Sequence, residues 1–139
     1  MKQQYLQNDL KKNVPPLASV LEPDEFIEYC YWGRFGYFAV TEKRLLVYTK
    51  KGMFSDRVLE EYEWGEVAAV GDVVFDRAIK IYLMEVQTLK GNRRLGFNLD
   101  GQAAHRFRRE IGAAVTRHNT RQREIRALIW SLDLNGNGP

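Results

Sequence analysis

Two short apolar runs separated by a polar corner form the clearest pattern in this chain. Residues 37–40 (YFAV) and 45–48 (LLVY) are rich in aromatic and β-branched side chains, which favour a pleated, half-buried strand. The four polar residues between them, TEKR, are enough to reverse the direction of the chain. The pattern therefore predicts a β-hairpin over residues 37–49, to which the other segments add further strands.

Alternating or apolar segments elsewhere predict five more strands. These segments are residues 26–32, 57–63, 67–75 with an interruption at Gly71, 78–89 and 93–99. Strict alternation also assigns the strand faces, because successive side chains point to opposite sides. One face of the first strand carries Ile27, Tyr29 and Tyr31. One apolar face of the 78–89 strand carries Ile79, Ile81 and Leu83.

A long amphipathic helix follows the last strand. Asp100 is a good N-cap, because its carboxylate can accept the free N–H groups of the first turn. The apolar stripe is Ala104, Phe107, Ile111, Val115 and His118, and it resumes in nearly the same phase as Ile125, Leu128, Ile129 and Leu132. About 30 helical residues extend ~45 Å, which is more than a small barrel can cover.

Seven strands followed by one C-terminal helix suggest a bent barrel of two antiparallel sheets, and three motifs add a family resemblance. Residues 21–25 (LEPDE), 40–46 (VTEKRLL) and 62–70 (YEWGEVAAV) resemble the bacterial pleckstrin-homology-like families, the YokE-like type and its GRAM relatives. The resemblance covers about residues 17–115, and its best motif contains Thr41, Arg44 and Leu45. It implies a mainly β, pleckstrin-homology-like domain that acts as a non-catalytic binding module, and it names no ligand.

The hairpin corner also has a structural interpretation that does not depend on the family. The hydroxyl of Thr41 can bond to local backbone at a turn. The stem of Arg44 can lie on the barrel while its guanidinium bonds to nearby carbonyls or carboxylates. Both residues are therefore predicted to stabilise the fold rather than bind a ligand.

Composition indicates one globular domain of 139 residues, with 45% hydrophobic and 28% charged residues. We expect an N-terminal arm over residues 1–16, the domain over 17–118 and a helical extension with a tail over 119–139. The single cysteine, Cys30, is predicted to be buried. Residues 1–100 carry 14 basic and 15 acidic side chains, whereas residues 101–139 carry seven and three, so the net charge of +3 belongs to the helix.

Several function classes find no support in the sequence. No stretch approaches the ~20 apolar residues of a membrane span, and the N-terminus lacks an apolar signal core, so we expect a cytoplasmic protein. His105 and His118 have no metal ligand at helical spacing, and no nucleophile lies near a base motif. We therefore predict no enzyme activity, no metal and no cofactor.

The tail 133–138 (DLNGNG) matches half of a calcium loop, and is either a frayed end or part of a longer chain.

Two interaction surfaces remain as hypotheses. The first is the helix beyond the barrel, whose apolar residues would contact a protein partner or a second copy, unless the helix folds back or packs on the N-terminal arm. These residues are Ile125, Leu128, Ile129, Trp130 and Leu132. The second is the loop 50–57, whose apolar tips and flanking cations would dock on an anionic membrane, unless Phe54 packs back on the barrel. These residues are Lys50, Lys51, Met53, Phe54 and Arg57.

Nucleic acid is not the predicted partner. Seven arginines lie in residues 101–139, but at 100° per residue they scatter around the polar face of the helix. The nearest approach to one stripe is Arg106, Arg109, Arg117 and Arg121. A solvated polar face is the preferred interpretation, and a basic surface for an acidic partner remains open.

Overall fold

The computed structural model describes residues 20–50, 56–98 and 100–132. Within them lie eight strands, one 3-10 turn at Trp64–Glu66 and one long helix. The strands are β1 (Ile27–Gly33), β2 (Gly36–Thr41), β3 (Arg44–Lys50), β4 (Arg57–Glu63), β5 (Val67–Val70), β6 (Val74–Asp76), β7 (Ile81–Thr88) and β8 (Gly91–Asn98). The helix is α1 (Gly101–Leu132). The predictions for the arm 1–16, Lys51, Met53, Phe54 and the tail 133–139 lie outside the described residues.

The strands form two antiparallel sheets. The first sheet is a meander of order β1-β2-β3-β4, built on the predicted hairpin, in which Phe38 lies opposite Val47 and Val40 opposite Leu45. In the second sheet β8 pairs along one edge of β7, and β5 and β6 pair along the other edge. The predicted mainly β architecture of two antiparallel sheets with a C-terminal helix is confirmed.

The predicted strand 67–75 is two strands, so the described part of the chain has eight strands rather than seven. At the break, Gly71 N–H donates to the carbonyl of Glu85 at 2.8 Å. Arg108 of α1 donates to the carbonyl of Gly71 at 2.9 Å and approaches Asp72 at 3.3 Å. Residues 71–73 therefore belong to neither strand, and β5 and β6 pair with successive stretches of β7.

Two predicted strand faces are wrong. A β-bulge between Ile27 and Tyr29 moves Ile27 to the face opposite that of Tyr29 and Tyr31, because a bulge shifts the alternation by one residue. The face predicted over 79–83 fails because a turn precedes β7, and β7 begins only at Ile81. The core of β7 is instead formed by Met84 and Val86.

The barrel core is aromatic, and α1 covers it. The rings of Phe38, Phe97 and Phe107 contact one another with centroid separations of 5.4–5.9 Å. The buried residues of α1 are Ala104, Phe107, Ile111 and Ala114. The first three belong to the predicted stripe, whereas Ala114 was not predicted and the predicted Val115 is only partly buried. Asp100 caps the helix as predicted, since its carboxylate accepts the N–H of Ala103 at 2.9 Å.

Candidate functional site

The second half of α1 leaves the barrel with its apolar stripe exposed. The four buried positions of α1 end at Ala114, and every residue from 123 to 132 is exposed. We call residues 123–132 the projecting segment; at 1.5 Å per residue it is about 15 Å long. Its exposed apolar side chains, with their exposed fractions, are Ile125 (44%), Leu128 (63%), Ile129 (54%), Trp130 (65%) and Leu132 (49%).

The structure brings four of these five residues together on one face. At 100° per residue, Ile125, Leu128, Ile129 and Leu132 fall within about 100° of arc, in phase with the buried stripe of the same helix. Trp130 lies about 150° from the centre of that stripe, near the opposite face of the helix. Four of the five predicted interface residues therefore form one apolar stripe, and Trp130 lies outside it.

The arginines of α1 divide into paired and unpaired groups. Arg117 binds the carboxylate of Glu28 at 2.9 Å, and Arg106 binds Glu110 at 2.9 Å while lying 5.1 Å from the ring centre of Tyr29. Two members of the predicted arginine stripe are thus committed to contacts within the chain. Among the described residues, three arginines of the second half have no ion-pair partner, and they are Arg121, Arg123 and Arg126.

The hairpin corner is a buried polar cluster, which supports the structural role predicted for Thr41 and Arg44. Thr41 Oγ1 accepts the N–H groups of Lys43 at 3.1 Å and Arg44 at 3.0 Å. Arg44 donates to the carbonyl of Val20 at 2.6 Å and to the carboxylate of Glu25 at 2.7 and 3.0 Å. The third signature residue, Leu45, is buried in the core.

Electrostatics at the corner follow from those hydrogen bonds. Burial acts to raise the pKa of Glu25, but the hydrogen bonds from Arg44 and Thr41 outweigh it and lower that pKa below its ordinary value of 4.5. The indole of Trp64 donates to the carbonyl of Thr41 at 3.0 Å, which ties the 3-10 turn to the same corner. The polar groups of the cluster thus bond to one another within the chain.

A cleft of about 690 Å³ lies between this corner and α1. Its lining carries both signs of charge, from Glu42, Glu63, Lys43 and Arg121 among others, and His118 lies against it. Within the described residues, no group of three or more His, Cys, Asp or Glu side chains is arranged to hold a metal ion. The mixed lining selects no single ligand chemistry.

The two described ends of the predicted basic loop have different surroundings. Lys50 is exposed at the end of β3. Arg57 begins β4, and its guanidinium lies 4.6 Å from the ring centre of Tyr37 and 5.9 Å from that of Tyr48. Arg57 is therefore held by aromatic packing on the sheet.

Two other turns lie at the same end of the barrel as Lys50 and Arg57, and sequence reasoning missed the exposed apolar residue that each of them carries. The turn between β1 and β2 presents Phe35, 39% exposed, and the turn between β6 and β7 presents Ile79, 57% exposed. The turns meet because Asn98, paired with Ile81 across β7 and β8, accepts the N–H of Arg34 at 2.8 Å. The sequence feature that could have indicated the first turn is Phe35, an apolar residue between the glycines of the Gly-Arg-Phe-Gly sequence.

The projecting segment leaves from the opposite end of the barrel. In an antiparallel meander the β1–β2 and β3–β4 turns lie at one end, and the corner at Thr41 to Arg44 lies at the other. Trp64 follows β4 at the corner end, and His118 of α1 lies beside Gly65 there. The two candidate surfaces are therefore separated by the length of the barrel.

None of the helices in the described residues is long and apolar enough to cross a membrane. No protein-family model matches the sequence. No curated protein matches it either.

Solved structures do show the fold. The chain is similar to a pleckstrin homology domain from Shewanella amazonensis SB2B, with a TM-score of 0.58 and 14% identity over 77% of this chain and 98% of that one. It is also similar to a DUF1696 family protein with a pleckstrin-homology domain from Shewanella loihica PV-4, with a TM-score of 0.55 and 14% identity over 76% and 92%. The predicted resemblance to bacterial pleckstrin-homology-like domains is thus confirmed at the level of the fold: this chain has a pleckstrin-homology-like fold.

Proposed function

We propose that this chain is a non-catalytic interaction module that binds a protein partner through the projecting segment, and that a second copy of the chain is such a partner. The observation that carries the proposal is the set of five large apolar side chains, 44–65% exposed, on a helix that has already left the barrel. Contiguous exposed apolar surface of this kind usually marks an interaction site.

The energetics favour weak, concentration-dependent pairing. Burying the exposed half of a Leu or Ile side chain contributes roughly 1 kcal/mol. Two copies of the four-residue stripe therefore contribute roughly 8 kcal/mol, which is comparable with the cost of about 4–15 kcal/mol for bringing two molecules together.

Charge distinguishes a second copy from an acidic partner. Arg121, Arg123 and Arg126 bring like charges together when two identical helices pair. Salt screens that repulsion, so it should strengthen self-association, whereas it should weaken binding of an acidic partner.

Light scattering after size exclusion tests the proposal with two matched variants. Ile129→Asp places a carboxylate in the stripe, and Ala127→Asp places the same charge on the opposite face of the same turn. We expect the wild type and Ala127→Asp to exceed the monomer mass of 16.2 kDa at high concentration, and Ile129→Asp to remain a monomer. Equal masses for the two variants would exclude the stripe as the interface.

A second candidate function is peripheral binding to an anionic membrane by the turn end of the barrel. The observation that favours it is that Phe35 and Ile79, with Arg34 and Lys80 beside them in the chain, lie at the same end of the barrel as Lys50 and Arg57. Apolar tips that enter the interface beside cations give weak docking, at about 1 kcal/mol per cation.

Flotation with phosphatidylserine vesicles tests this candidate. Phe54→Asp should reduce the bound fraction more than Ser55→Asp, which adds the same charge at the neighbouring position. Binding should also fall as salt is raised, because cations contribute through a screened attraction. Equal losses for the two variants would exclude an apolar contact by Phe54.

A further inference from the structure

The side of the projecting segment opposite the apolar stripe is basic and aromatic. At 100° per residue, Arg123, Arg126 and Trp130 fall within about 60° of arc, and the centre of this arc lies about 140° from the centre of the stripe. We call these three residues the basic-aromatic face. Their spacing of i, i+3 and i+7 places them on successive turns over roughly 10 Å. Pairing through the stripe would therefore leave this face exposed.

Charge is segregated between the two sides of α1. Glu110 and Glu124 are the two acidic residues of the helix, and both lie within about 90° of the centre of the stripe. Among the described residues, neither Arg123 nor Arg126 has an ion-pair partner. The basic-aromatic face therefore carries two positive charges that no acidic side chain of the same face compensates.

The residue types of this face are those that contribute most to protein interfaces. Trp130 is the most exposed of the five large apolar residues of the projecting segment, at 65%. Trp and Arg are enriched among the residues that dominate binding energy, and a guanidinium can bind a carboxylate through two parallel hydrogen bonds. A tryptophan ring also offers a large apolar surface and an N–H donor. The face thus fits a protein segment that presents carboxylates beside an apolar group.

We propose that the basic-aromatic face binds an acidic segment of a second protein, with Arg123 and Arg126 on its carboxylates and the Trp130 ring on its apolar part. Nucleic acid fits this face less well, because phosphate binding uses many cations along one surface. The next arginine of α1 on this side that forms no ion pair with a described residue is Arg109, which lies 14 residues before Arg123, roughly 21 Å away. This inference goes beyond the proposed function, because it assigns a different partner to the opposite side of the helix.

Fluorescence anisotropy of labelled poly-L-glutamate, titrated with the full chain, tests the proposal. Arg126→Glu reverses one charge of the face, and Arg109→Glu makes the same change at an exposed arginine nearer the start of α1. We expect Arg126→Glu and Trp130→Ala each to weaken binding about tenfold or more, and Arg109→Glu to weaken it less than about threefold. Equal losses for Arg126→Glu and Arg109→Glu, or no loss for Trp130→Ala, would overturn the proposal.

Two further measurements separate this proposal from its alternatives. Tighter binding of labelled poly-uridine than of poly-L-glutamate would assign the face to nucleic acid and overturn the proposal. Trp130→Ala should keep the solution mass of the wild type, because Trp130 lies outside the stripe, and a lower mass would overturn the proposal by placing Trp130 in the pairing surface. A monomeric wild type would contradict the proposed self-association alone, since binding of poly-L-glutamate needs no second copy.

Discussion

The guanidinium of Arg44 binds both carboxylate oxygens of Glu25, with Nη2–Oε1 at 2.7 Å and Nε–Oε2 at 3.0 Å. The Glu25 side chain is fully buried, and that of Arg44 is 13% exposed. Thr41 Oγ1 lies 2.7 Å from the same carboxylate. This ion pair joins the segment before β1 to the β2–β3 hairpin, so it fixes where the N-terminal chain meets the first sheet.

Removing one partner of this ion pair should be strongly destabilising. Arg44→Ala leaves the carboxylate of Glu25 buried and unpaired, and we expect a loss of about 3–5 kcal/mol in the free energy of unfolding by urea. Lys43→Ala is the neighbouring control. Its ion pairs with Glu22 and Asp24 are exposed, so the loss should be much smaller than that of Arg44→Ala. Equal losses would show that the buried pair adds no more than a surface pair.

The same pair predicts an acid-dependent loss of stability. The pKa of Glu25 is lower in the folded state than its ordinary value of 4.5, so its contribution is complete above pH 4.5. It is lost as the pH falls from there through the lower folded pKa. Urea midpoints at pH 7 and about pH 3 should therefore fall more for the wild type than for Glu25→Gln, which cannot titrate. Parallel declines would assign the acid sensitivity to other groups.

The indole of Trp64 should contribute a single hydrogen bond beyond its packing. Trp64→Phe keeps a large buried ring but removes the N–H that donates to the carbonyl of Thr41 at 3.0 Å. We expect a loss of about 1–3 kcal/mol in urea unfolding, because that carbonyl loses its side-chain donor and the smaller ring fills less space. An unchanged midpoint would contradict a structural role for this contact.

The N-cap of α1 gives a further test. Asp100→Ala removes the carboxylate that accepts the N–H of Ala103, and it should cost about 1 kcal/mol. Gln102→Ala changes an exposed residue of the same turn and should have little effect on the urea midpoint. A comparable loss in the control would show that the effect of Asp100→Ala is not specific to the cap.

Strong local patterns predicted most of the fold. The hairpin of β2 and β3, the cap at Asp100 and the stripe through Phe107 and Ile111 depend on neighbouring residues, so their periodicity is visible in the sequence. The errors arose where distant contacts decide the backbone. The break after Val70 is held by Arg108 from the helix, and the shift of Ile27 depends on a bulge against β2.

The candidate surfaces were predicted unevenly for the same reason. The projecting segment was visible because a helix of known rise outruns a small barrel. The contact of the two sheets at Asn98 brings Phe35 and Ile79 to the turn end of the barrel. The place of the projecting segment at the opposite end also follows from this arrangement of the sheets. The apolar row on the face of the first sheet away from the barrel core also escaped prediction. Cys30, Ala39 and Leu46 read as ordinary strand residues until their shared row was known.

The solution mass of the unmodified chain in a dilution series, at low and at high salt, tests the central claim most directly. We predict a mass above that of the monomer at high concentration, which falls toward 16.2 kDa on dilution and rises with salt. A monomer at every concentration and salt would contradict pairing through the apolar stripe of residues 125–132.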